Sequence, residues 1–224
     1  MPQMAACATV VDRLAARRDT RSGAIRMAAM VFISALTAAA AQISVPLPFT
    51  EVPFTFQPMV VLLGGLALGS RLGFGSQVLY LMAGIAGLPV FASSVTLPPG
   101  ALRLLGPTGG YLMAYPMAAF LVGYLAERGF DRRYVSSVLA MLAGLLMIYA
   151  CGAVWLGLVA RGAVDRAPIG MQAALVAGVY PFLVADLLKL LVAAAVLPGV
   201  WRMLGHADTR EVNRTAIGSS DISS

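Results

Sequence analysis

Near the C-terminal end of the chain, Asp186 and Lys189 interrupt an otherwise uncharged run, in the sequence Asp186-Leu187-Leu188-Lys189. Three residues apart on a helix, they project from one face about one turn from each other and can meet. The carboxylate accepts N–H donors, and the ammonium meets a carboxylate or a carbonyl. A mutually neutralising pair that only fixes helix packing has the same spacing, because pairing lowers the cost of each charge. Charges at membrane depth nevertheless cost at least about 2.5 to 3.5 kcal/mol each and mark ligand paths, which favours a binding role. Arg103 stands in Ala101-Leu102-Arg103-Leu104-Leu105, between two Pro/Gly-rich turns. It either snorkels to lipid head groups or holds an anionic ligand from a loop folded over an outward cavity. Gln57, beside Pro58, and Tyr111 are weaker ligand candidates. Their alternatives are a freed backbone group that Gln57 satisfies and an interfacial belt position for Tyr111.

The elements that must position these residues are membrane elements. Of 224 residues, 59% are hydrophobic and 12% charged, against averages of about 45 to 50% and about 25% in soluble domains. Mean hydropathy is +0.84. So few ionisable groups cannot cover a soluble surface, which argues against a secreted enzyme. The net charge of +6 sits at membrane edges, not in one patch that could track phosphates, so no nucleic-acid partner is implied. Cys7 and Cys151 form no disulfide framework or metal cluster.

The pattern predicts an all-α integral membrane bundle of six transmembrane helices: Met27 to Ile43, Met59 to Gly69 after an unwound or kinked entry at Pro53 to Pro58, Leu72 to Phe91, Tyr111 to Ala126, Tyr134 to Ala160, and Met171 to Val200 with a kink at Pro181. The predicted layout is a basic cytoplasmic leader (1–26), a membrane domain (27–200) and a polar, mobile cytoplasmic tail (201–224). The leader carries arginines as a signal peptide does, but the uncharged run after it is too long for one. Basic residues set the orientation. Arg13, Arg17, Arg18, Arg21, Arg26, Arg71, Arg128, Arg132, Arg133, Arg202, Arg210 and Arg214 fall on the side of the N-terminus, and only Arg103, Arg161 and Arg166 on the other. Both termini are therefore expected in the cytoplasm.

Absent residue types narrow the function. The one lysine, Lys189, is in no Gly-Lys-Ser/Thr loop, so coupling to ATP has to come from another subunit. The one histidine, His206, lies in the tail, which leaves an intramembrane serine without a base. Gly73-Phe74-Gly75-Ser76 is then a helix-packing stretch. No metal or resident cofactor is expected, and the chain is expected not to be an enzyme. What remains is binding or permeation. Ala35 and Ala39, four apart in Ser34 to Ala41, give a flat face for close helix approach, within the chain or against a partner.

Several stretches together resemble the BioY family, the biotin-specific substrate-binding (S) components of energy-coupling-factor (ECF) transporters. They are Ala41 to Pro48, Val52 to Gln57, Gly84 to Phe91, Gly106-Pro107-Thr108-Gly109-Gly110-Tyr111-Leu112, and Asp186 to Lys189. The Gly-Pro-Thr-Gly-Gly-Tyr run together with Asp-Leu-Leu-Lys is the specific part. The resemblance implies a plasma (inner) membrane protein that captures biotin from outside. Its partners would be a transmembrane coupling subunit and two ATPase subunits, which alone use ATP. It also implies ligand-contacting roles for Arg103, Asp186 and Lys189, and a partner-docking role for Ala35 and Ala39. Biotin suits these groups, with two ureido N–H donors, one carbonyl, an apolar bicycle and an anionic valerate. Which cation meets which end stays open. The alternatives are a component for another small vitamin and a non-transport membrane scaffold.

Overall fold

The computed structural model describes residues 9–11, 22–93, 100–160 and 169–201. The expectations for Cys7, Arg13, Arg17, Arg18, Arg21, Arg161, Arg166, Arg202, His206, Arg210 and Arg214 lie outside the described residues, as do the Leu97-Pro98-Pro99 turn, the tail and most of the leader. Among the described residues the order is α1 (Ser22–Gln42), β1 (Ser44–Leu47), β2 (Thr50–Thr55), α2 (Gln57–Leu68), α3 (Ser70–Ile85), a 3-10 turn (Ala101–Leu105), α4 (Gly109–Glu127), α5 (Tyr134–Leu158), α6 (Met171–Gly178) and α7 (Tyr180–Ala194). Four helical stretches are long and apolar enough to cross a membrane: Gly23–Gln42, Gly109–Glu127, Tyr134–Leu158 and Tyr180–Trp201.

The fold departs from the sequence-based layout in three places. The chain is not purely helical, since β1 and β2 pair as an antiparallel hairpin with Val45 opposite Phe54 and Leu47 opposite Thr50. Pro46, Pro48 and Pro53 remove donors that a helix needs, while Val45, Val52 and Phe54 suit an extended chain. The second and third apolar segments make short helices of 12 and 16 residues, only about 18 and 24 Å long against about 30 Å of hydrocarbon. The last segment breaks at Val179, between α6 and α7, because Pro181 cannot donate and disfavours a helical residue before it.

α4 forms the centre and α1 the periphery: 67% of the apolar window in α4 is buried, against 28% in α1. Small residues set the spacing around α4. A Cβ on Gly65 of α2 would run into the backbone of Ala119, and Gly73 of α3 packs against both Gly65 and Ala119, which lets three helices meet closely. The N-terminus of α3 is tied to the end of α4, where Ser70 N and Oγ donate to Glu127 Oε1 at 2.8 and 2.7 Å. α1 turns Ile33, Ser34 and Thr37 inward, and leaves Phe32, Ala35, Leu36 and Ala39 exposed. A polar seam joins it to α3: Ser34 Oγ donates to the Ser76 carbonyl, and Gln77 Nε2 to Thr37 Oγ1 at 3.3 Å. Within the leader, Thr9, Val10 and Val11 are buried, and Val11 packs with Ile33 and Leu68.

Candidate functional site

The hairpin, the start of α4, the middle of α5 and the first turns of α7 enclose a cavity of about 890 Å3, mouth included. Ligand cavities of this size are mainly apolar with a few placed polar groups. Four of the residues singled out from sequence line it together: Gln57, Arg103, Tyr111 and Asp186. Lys189 borders a smaller recess on the other side of Asp186, which that carboxylate shares with the main cavity.

Asp186 is 7% exposed, and each of its oxygens has a donor. Tyr149 Oη donates to Oδ2 at 2.7 Å, and Lys189 Nζ donates to Oδ1 at 2.7 Å. The ammonium also donates to the Thr55 carbonyl at 2.7 Å and lies 3.5 Å from the centroid of the Phe54 ring, a cation–π contact. Phe54 in turn stacks on Phe182 of α7. One lysine therefore joins the end of the hairpin to the acidic end of the cavity. Each carboxylate oxygen keeps a further lone pair for a donor entering from the cavity.

Arg103 enters from the 3-10 turn. It is 8% exposed, and its Nη1 donates to the Ala92 carbonyl at 2.7 Å. Burial lowers its pKa from the usual arginine value, yet a guanidinium stays charged in proteins. The glycines that follow allow this placement. A Cβ on Gly109 would meet the Leu104 carbonyl, and one on Gly110 would meet Trp155 of α5. Trp155 Nε1 donates to the Gly106 carbonyl at 2.9 Å, so the Gly106-Pro107-Thr108-Gly109-Gly110 run fits against that indole.

Tyr111 lies over Gly152 of α5 and Gly178 of α6, where any Cβ would overlap its ring or hydroxyl. Its Oη donates to the Gly178 carbonyl at 2.8 Å, meeting the interrupted backbone between α6 and α7. Gln57 Nε2 donates to Tyr80 Oη at 2.6 Å, and Tyr80 Oη donates to the Val90 carbonyl at 3.2 Å. Tyr149, Tyr115 and Thr55 were not singled out from sequence, although all three line the cavity. The signal available for Tyr149 is a hydroxyl in the middle of an apolar helix, which needs a partner when buried.

A hairpin-capped helical bundle that holds one anionic and one cationic side chain around an internal cavity defines a membrane-embedded binding protein. The BioY family pattern matches residues 12–206, and the chain belongs to the BioY family. It is 44% identical over 108 residues to the "Probable biotin transporter BioY" of Pyrococcus horikoshii, covering 48% of this chain and 62% of that one. It is 43% identical over 95 residues to the "Biotin transporter BioY" of Thermotoga maritima, covering 42% and 53%. In both cases the chain spans less than two thirds of the relative's length. The fold is similar to the crystal structure of the S-component for biotin from an ECF-type ABC transporter, with a TM-score of 0.70 and 22% identity over 81% of this chain and 93% of the other.

Proposed function

We propose that this protein is the biotin-binding S component of an ECF transporter, lying in the plasma (inner) membrane with six crossings and both termini in the cytoplasm. The observation that carries the reading is the joint placement of Asp186 and Arg103 in one largely apolar cavity of a BioY-family chain. The acceptor-only carboxylate of Asp186 suits the ureido N–H donors and repels the valerate, which is directed to the guanidinium of Arg103. Gln57, Tyr111 and Tyr149 supply amide and hydroxyl groups along the bicycle. Lys189 balances the charge of Asp186, with its ammonium one carboxylate oxygen away from the ligand. The protein is a carrier and forms no covalent bond with its ligand.

A tightly held ligand is released only if work moves the protein to a state of lower affinity. The single lysine stands in a membrane helix, so partner ATPases acting through a transmembrane subunit supply that work. The exposed Ala35 and Ala39 of α1 form the docking face, where small residues permit close approach. The test measures uptake of labelled biotin and co-purification of the coupling subunits with the parent and with Ala35→Trp/Ala39→Trp. The reading predicts that the double variant loses both and still binds biotin. Unchanged co-purification would place docking on another face, and ATP-independent accumulation by this chain alone would overturn the coupled scheme.

A further inference from the structure

A second recess, of about 740 Å3 with its mouth, adjoins the ligand cavity, and Glu51, Val52 and Pro107 line both. Its further walls are apolar: Phe49 at the hairpin tip, Leu156 near the end of α5, and Ile169, with Ala160 and Ala177 leaving room between them. Arg103 belongs to the 3-10 turn that leads through Gly106 into Pro107, so the cationic end of the cavity adjoins the shared wall. A ligand whose carboxylate meets Arg103 ends beside this recess.

We propose that the recess is a second subsite, for an aliphatic chain joined to the ligand carboxylate through an amide. The proposal rests on the biotin reading and extends it from the free acid to biotinyl amides. An amide keeps a carbonyl acceptor for Arg103 but gives up the charge, and apolar burial beyond Val52 and Pro107 offsets that loss. The natural member of the class is the amide with the lysine ε-amine, whose linker is a run of methylenes. Hydrolysis of biotin-carrying proteins supplies it.

The test displaces labelled biotin from the purified full chain with unlabelled biotin and with N-alkyl biotinamides from methyl to hexyl. The methyl amide should bind more weakly than biotin, and each further methylene that enters the recess should recover about threefold to fourfold in affinity. Phe49→Ala removes one wall and Ala177→Phe fills the space. Both should flatten the series while biotin affinity stays at the parent value, and the exposed position of Phe49 (64% exposed) keeps the first variant folded. A series independent of length in the parent, with biotin bound normally, overturns the subsite. An equal slope in the parent and both variants overturns it too, since the chain would then be buried elsewhere, detergent included. Loss of biotin binding itself overturns the underlying reading and the subsite with it.

Discussion

Replacing Asp186 and Lys189 singly and together separates a ligand site from a packing device. In Asp186→Asn, an ammonium 10% exposed keeps only the Thr55 carbonyl and the Phe54 face as partners. Unpairing a buried charge costs about 3 to 5 kcal/mol. Lys189→Met leaves the carboxylate with the Tyr149 hydroxyl as its described hydrogen-bond donor, at a similar cost. The double variant removes both charges at nearly constant volume, so most of that stability should return. Ligand affinity should not return with it. A charge-assisted hydrogen bond to the ligand contributes about 1.5 to 3 kcal/mol, so its loss raises the biotin Kd about 10- to 100-fold. The assay pairs thermal unfolding in detergent with equilibrium binding of labelled biotin to monodisperse protein. Restored stability with parental affinity in the double variant would refute the ligand role and leave the pair as a packing device.

Three further outcomes follow from other parts of the molecule. A reporter fused after Ser224 should lie in the cytoplasm, as the twelve-to-three split of arginines requires; an external reporter would put Arg103 on the wrong side for capture from outside. Gly152→Ala places a Cβ in the ring of Tyr111 and should cost about 1 to 3 kcal/mol of stability while weakening biotin binding; unchanged unfolding and affinity would show that the ring moves freely. Asp131 is 1% exposed, accepts from Trp201 Nε1 at 2.6 Å, and has its pKa raised by burial. The folded state therefore holds the proton more tightly than the unfolded chain, and stability falls as pH rises above about 4. The unfolding temperature of Asp131→Asn relative to the parent should then rise between pH 4.5 and pH 7.5, and a pH-independent difference would refute this.

Local relations were legible in the sequence and distant ones were not. The Asp186–Lys189 contact follows from helical spacing alone. Arg103, Gln57 and Tyr111 stood out because a polar group in an apolar run needs a partner. The partners themselves come from far along the chain: Tyr149 is 37 residues from Asp186, and Thr55 is 134 residues from Lys189. Helix ends depend on such approaches too. The joint between α2 and α3 falls at Gly69, with φ +82°, where Gly123 of α4 comes so close that a Cβ on Gly123 would strike the Gly69 backbone. The hairpin was hidden because its prolines mark only the absence of helix, and strand pairing across a turn leaves little trace in composition.

Equilibrium binding of labelled biotin to the purified chain tests the central claim most directly. The account predicts saturable retention at nanomolar to low micromolar ligand, displaced by unlabelled biotin and unaffected by thiamine or riboflavin. No measurable retention of biotin, or displacement by either of the other vitamins, would contradict it.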